Sequence, residues 1–327
     1  MHATRRSHED LLRHCTPDDP HDLGVVGDRA LRSNGVAGGV GVLVYRLTSR
    51  LGHGTRLSLA LVSYLAARTV LRRRYARVSL EANSRTTTIT STPSLSVVVP
   101  AYNTGAEIVA TVEEINDKLG DVLCDDRGIV VVDDGSDPSS HTVAYAEEAG
   151  AFVVAQPCNM GKGAAVRAGF AATTSDVVAF LDGDGAYDPD LLREFLAQIH
   201  YYDIVIGVRS PGAAGGRVSL QRNLASRFFH ALTSVVLVKP RTDTQAGIKM
   251  VRRAVADAFC ADGVIDRFSF DVELLALCET RGWRIGEVAV APREQSTSTV
   301  KFSSEALRTC LAVLQIRRRQ ARGAYRG

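Results

Sequence analysis

With 327 residues, 45% of them apolar, the chain is long enough to bury a large core and too apolar to be disordered throughout. A net charge of +3 from 39 basic and 36 acidic residues excludes a general nucleic-acid binder, whose basic excess is larger and gathered on one face. Six scattered cysteines, with no Cys-x-x-Cys and no Cys/His pair at zinc spacing, speak against a disulfide scaffold or structural zinc and for a reducing, cytoplasmic compartment.

In chain order, residues 1–34 are polar and lack the apolar stretch of a signal peptide. Residues 36–82 carry a helical pattern, with Leu57, Leu61, Tyr64, Leu65 and Leu71 near one stripe and Arg68, Arg72, Arg73, Arg74 and Arg77 among them. Two readings stay open there: a helical appendage packed on the core, or an amphipathic helix lying at a membrane surface. The apolar stretches Val36–Val44 and Leu57–Ala67 are broken by arginines and fall short of the roughly 20 residues a spanning helix needs. The glycine-rich run Gly35–Gly41 follows no strand and is not read as a phosphate loop. Residues 83–94 are Ser/Thr-rich and read as a linker. The chain therefore divides into an N-terminal extension, 1–92, and a main domain, 93–327.

From Leu95 short β-branched runs alternate with helical ones. Strands are expected at Leu95–Val99, Gly128–Asp133, Ala151–Ala155, Val177–Asp182 and Asp203–Val208, with helices at Glu107–Leu119, Ala164–Thr173 and Asp190–His200. Near-continuous apolar strands joined by helices predict an α/β fold, a mainly parallel sheet covered on both faces. Ligands of such sheets bind beyond the carboxyl ends of the strands. Those ends carry the polar motifs here.

The first strand ends in Pro100-Ala101-Tyr102-Asn103 and the second in Asp133-Asp134-Gly135-Ser136, short turns able to face a base and ribose or simply to cap the next helix. Asn159-Met160-Gly161-Lys162-Gly163 opens a helix whose N-terminus favours anions, although the Walker spacing is absent. The fourth strand runs into Asp182-Gly183-Asp184-Gly185. Two carboxylates about 3 Å apart resist joint ionisation unless a cation lies between them. Mg²⁺ takes one or two carboxylates together with phosphate oxygens, which makes this Asp-x-Asp the most specific single element.

These four pieces in this order resemble the GT-A glycosyltransferases of family 2, over about Ser94–Val300. The resemblance implies a GT-A, Rossmann-like fold and nucleoside contacts from Pro100, Tyr102, Asn103, Glu107, Asp133 and Asp134. It places Lys162 near the base or diphosphate and Mg²⁺ or Mn²⁺ on Asp182 and Asp184, with Asp182 also facing the nucleotide. Asp243-Thr244-Gln245-Ala246-Gly247-Ile248-Lys249 and Phe270-Asp271-Val272-Glu273-Leu274 look like the dolichyl- and polyprenyl-phosphate branch, closer to its glucosyl than its mannosyl members. That branch implies UDP-glucose as donor and a lipid phosphate as acceptor. Two departures stand out: Ala186 replaces the metal-contacting Gln of mannosyl enzymes, and the spanning helices of many relatives are missing.

Family 2 enzymes invert at the anomeric carbon. A lipid-phosphate acceptor is already an anion and needs only cations, for which Arg209, Arg222, Arg227 and Lys249 are candidates. A hydroxyl acceptor needs a general base instead, and Asp271 stands where many family members put one. Asp271 also suits the N-cap of a helix Val272–Arg281, and Asp243 is a further acidic candidate. In Ser303–Gln315, Leu307, Leu311 and Leu314 share a helical face ahead of an arginine cluster, which suits a peripheral place on the cytoplasmic membrane face or a plain solubilising tail. Rival readings are a family 2 enzyme with a soluble hydroxyl acceptor, a sugar nucleotidyltransferase, and a non-enzymatic membrane scaffold.

Overall fold

The computed structural model describes residues 93–124, 127–209, 236–237, 243–293 and 302–326. The N-terminal extension, Arg222 and Arg227 lie outside the described residues.

The described chain forms strands β1 (Leu95–Ala101), β2 (Ile129–Asp133), β3 (Phe152–Ala155), β4 (Val177–Leu181), β5 (Ile204–Arg209), β6 (Ile248–Arg252) and β7 (Ile285–Val290). Its helices are α1 (Glu107–Leu119), α2 (Thr142–Glu148), α3 (Lys162–Ala172), α4 (Leu191–Ile199), α5 (Arg253–Asp262), α6 (Phe270–Thr280) and α7 (Phe302–Ala321). The sheet order is β3-β2-β1-β4-β6-β5-β7. β1 pairs in parallel with β2 and β4, β2 with β3, and β5 with β7. β6 runs antiparallel between β4 and β5. The mainly parallel sheet read from the sequence is the one observed.

Each central strand buries both faces, and its alternate residues serve different helices. Val97, Val99, Val131, Ala179 and Leu181 join Ile108, Val112 and Ile115 of α1 and Leu192 and Phe195 of α4 in one core cluster. On the other face Val98 meets α3, where a Cβ on Gly169 would stand 2.2 Å from Val98 Cγ1. Phe180 stacks edge-on to Phe270 at 5.5 Å between ring centroids, and Phe259 links Phe270 to Phe170. Pro100 is tolerated inside β1 because the pairing with β4 ends at Val98, so its missing N–H breaks no bond on that side.

Two strands depart from the sequence reading. β6 was not expected as a strand because Lys249 interrupts its apolar run; the structure buries that lysine completely on the face carrying Phe180, its register partner. β7 alternates buried and exposed residues, as an edge strand does. The last helix also exceeds its expected end, running through Arg317, Arg318 and Arg319 to Ala321. Arginine is a good helix former, and cations complement a helix C-terminus.

Candidate active site

The carboxyl ends of β1, β2 and β4 open on one cleft of about 400 Å³, lined by Pro100, Tyr102, Thr104, Asp134, Asn159, Lys162, Asp182, Asp184, Arg267 and Phe268 among others. Its first wall is stitched from the two leading turns. The Asn103 N–H donates to Ser136 Oγ at 2.7 Å, and Asn103 Oδ1 accepts the Asp137 N–H at 2.7 Å. This tie needs the left-handed conformation Asn103 adopts, φ +54°, which Asn tolerates better than most residues. Asp133 is buried and accepts from the Ser136 hydroxyl and, at 3.2 Å, from its N–H. Asn103 and Asp133 therefore hold the wall, while Tyr102, half exposed, faces the cleft. Glu107, in the first turn of α1, is exposed and does not line this cleft.

Asp134 joins the second strand end to the glycine loop. Its carboxylate accepts the Met160 N–H at 2.8 Å and the Gly161 N–H at 2.9 Å. Burial pushes its pKa up to about 6, against the pull of those two N–H groups and of Arg267. Gly161 has φ +102°, and a Cβ there would stand 2.6 Å from the Asp266 carbonyl oxygen. Only glycine fits between these two segments, and α3 starts directly after it.

β4 delivers the paired aspartates. The Asp182 N–H donates to the Gly247 carbonyl at 2.9 Å, and a Cβ on Gly247 would come within 2.0 Å of Asp182 Oδ2. Asp182 Oδ1 is buried without a hydrogen bond and forms a close ion pair with the Lys162 ammonium. Burial opposes charge on Lys162, but Asp182 and then Asp271 outweigh it and raise its pKa. Asp184 is exposed and accepts the Ala186 N–H at 3.0 Å. No cluster of three or more His, Cys, Asp or Glu occurs among the described residues. Two hard carboxylates on one cleft, one with an oxygen satisfied only by a movable ammonium, fit an ion that draws its other ligands from phosphate and water.

Beneath this pair lies a second one. Lys249, fully buried, sets its Nζ 2.7 Å from Asp271 Oδ1 and donates to the Ala246 carbonyl at 2.8 Å. Its ammonium stands 5.0 Å from the centre of the Phe180 ring, and that of Lys162 stands 5.8 Å from it. Burial raises the Asp271 pKa, and Lys249 and Lys162 pull it back. The helix begins at Phe270 with Ser269 as its cap, so the N-cap role for Asp271 is corrected: it is a first-turn residue turned onto a lysine. Lys249 is likewise a buried partner of Asp271, away from the cleft lining. Arg209 and Asp243 form a two-pronged pair, Nε to Oδ2 at 2.5 Å and Nη2 to Oδ1 at 3.0 Å, at the end of β5. Burial raises the Asp243 carboxyl, but Arg209 overrides it and holds the pKa below the ordinary range.

Sequence reasoning did not single out Arg267, Phe268 or Thr104, whereas Asn159 belongs to the glycine-loop motif read from the sequence. Arg267 and Phe268 precede α6 in a segment whose only signal is an exposed Arg-Phe beside the motif that follows.

The cleft's order of parts has counterparts elsewhere. The family model for glycosyl transferase family 2 matches residues 96–259. A dolichyl-phosphate beta-glucosyltransferase of Trichomonas vaginalis is 32% identical over 224 residues, 64% of this chain and 68% of that protein. The Mus musculus dolichyl-phosphate beta-glucosyltransferase is 31% identical over 258 residues, 72% of this chain and 78% of the relative. In fold, the chain is similar to glucosyl-3-phosphoglycerate synthase of Mycobacterium tuberculosis, with a TM-score of 0.53 at 22% identity over 68% of this chain and 80% of that one. With β1, β2 and β4 presenting their polar ends to one cleft inside the matched span, the chain belongs to glycosyl transferase family 2 and is a glycosyltransferase of GT-A architecture.

Proposed function

We propose that the protein transfers glucose from UDP-glucose to dolichyl or another polyprenyl phosphate, with inversion at the anomeric carbon and with Mg²⁺ or Mn²⁺. The observation that carries this reading is the pairing of Asp182 and Asp184 on a cleft whose other wall is Tyr102 and Asp134, in a chain about 30% identical to dolichyl-phosphate glucosyltransferases.

Tyr102 offers a ring edge or face to the base, and the Asp134 carboxylate orders the glycine loop beside it. Asp182 and Asp184 would hold the ion. Bound there, it supplies positive charge to the departing diphosphate. Lys162 then neutralises the same region from the side of α3. The acceptor phosphate is already an anion, so no side chain need take its proton. This relieves Asp271 of a base's role, in keeping with its burial against Lys249, and leaves it to fix the charge pattern under Asp182. Asp243 fixes the guanidinium of Arg209, a cation for the acceptor side.

No helix among the described residues is long and apolar enough to cross a membrane. Peripheral association through α7 suits a lipid acceptor, and exposed Leu311 and Leu314 on that helix support it. Incubation with labelled UDP-glucose, dolichyl phosphate and Mg²⁺, followed by extraction into organic solvent, tests the reading. Label is expected in the organic phase, in a β-linkage by proton coupling at C1. Label found only on a soluble hydroxyl acceptor would replace this reading with its closest rival.

A further inference from the structure

The segment between α5 and α6 contributes Arg267 and Phe268 to the cleft lining, and it is pinned from behind. Val264 and Ile265 donate their N–H groups to Glu273 Oε2 at 2.9 and 2.8 Å. From the glycine-loop side the Ala164 N–H donates to the Asp266 carbonyl at 3.0 Å, and Arg167 Nη1 donates to that of Ile265 at 2.8 Å. Arg267 and Phe268 follow at once and line the cleft. Glu273 is fully buried, and the group that satisfies its other oxygen comes from far along the chain: the Tyr325 hydroxyl donates to Oε1 at 2.6 Å. Tyr325 is itself fully buried, in the turn after α7. Arg281 Nε donates to its carbonyl at 3.1 Å, and the Arg319 guanidinium stands 5.2 Å from the centre of its ring.

An unpaired buried carboxylate oxygen is costly, so Glu273 holds its orientation toward Val264 and Ile265 only while a donor meets the other oxygen. We infer that Tyr325 is a positioning residue for the nucleotide cleft, acting through Glu273 to set the backbone that carries Arg267 and Phe268. This rests on the proposed nucleotide site. It adds that the C-terminal turn sets nucleotide affinity without touching the nucleotide.

The test compares Tyr325→Phe with Ile316→Val, a truncation at a buried position of α7 that is expected to lower the melting temperature and that leaves the Tyr325 hydroxyl in place for Glu273. UDP is titrated calorimetrically into each full-length protein at a temperature where all are folded. Tyr325→Phe is expected to weaken UDP binding about fivefold, a typical indirect coupling, while Ile316→Val binds as the wild type does. In turnover KM for the donor should rise and kcat stay within about twofold. Equal UDP affinity in Tyr325→Phe and wild type, or the same loss in Ile316→Val, overturns the inference. Hydrogen exchange gives an independent reading: the Val264 and Ile265 amides should be protected in the wild type and exchange markedly faster in Tyr325→Phe, and unchanged exchange overturns it. Should the wild type bind no UDP, the functional reading falls instead, and amide exchange alone decides the role of Tyr325.

Discussion

Asp134 shows how one carboxylate can cost stability where it organises a site. The unfolded chain releases this proton near 3.8 and the folded chain near about 6, so between those values the folded state binds more protons. Stability contributed by this residue therefore falls as pH rises through that window and returns on acidification. In Asp134→Asn the slope of unfolding free energy against pH from about 4 to 6 should be more positive than in the wild type by denaturant titration, since a falling contribution is removed; an identical slope would remove burial as the cause. Asp182 and Asp184 carry a second prediction. Replacing both by Asn should lower metal-dependent transfer at least a hundredfold, the scale of losing a major electrostatic stabiliser, with an unchanged circular dichroism spectrum. These two were legible because two carboxylates one residue apart at the end of an apolar strand call for a cation between them. The partners of Lys249 and Asp271 were not legible: 22 positions separate them in the chain, and only the shared face of β6 and α6 pairs them.

Between elements, glycines record how closely the segments approach. Gly169→Ala would push a methyl into Val98 of β1, and overpacking of this kind costs about 1–3 kcal/mol. A lowered melting temperature with near-normal kcat is expected. Gly247→Ala should do the reverse. Its Cβ would collide with the Asp182 carboxylate, and displacing a catalytic group by about 1 Å costs roughly a hundredfold in rate. Loss of activity in the first variant at permissive temperature, or its retention in the second, would contradict this division. The five strands read from the sequence were those with short, nearly continuous apolar runs rich in Val and Ile, and their order of motifs sufficed for the fold class. β6 was hidden because a buried charge breaks its pattern, and β7 because one face of an edge strand is polar. The reach of α7 through its arginines was hidden for a related reason: charged residues look like a tail until something packs on them. Arg319 does so by donating to the Asp262 carbonyl at 2.8 Å.

At the scale of the whole molecule, the proposed function asks the cleft to meet a nucleotide from water and an acceptor from a lipid surface. Leu311 and Leu314 are exposed on α7, and Arg322 is exposed just beyond the helix. Each basic residue near an anionic leaflet contributes about 1 kcal/mol, so binding to phosphatidylserine vesicles should weaken with salt and weaken further in Leu311→Glu/Leu314→Glu, with UDP binding unchanged. Vesicle sedimentation checks this, and salt-independent binding would argue for another docking element. The central claim is that the ends of β1, β2 and β4 make one nucleotide-diphosphate site completed by a divalent ion on Asp182 and Asp184. Electron paramagnetic resonance of Mn²⁺ titrated into the protein with and without UDP tests it most directly. The account predicts Mn²⁺ binding that UDP strengthens and that Asp182→Asn/Asp184→Asn abolishes; UDP-strengthened Mn²⁺ binding that survives in the double variant would contradict it.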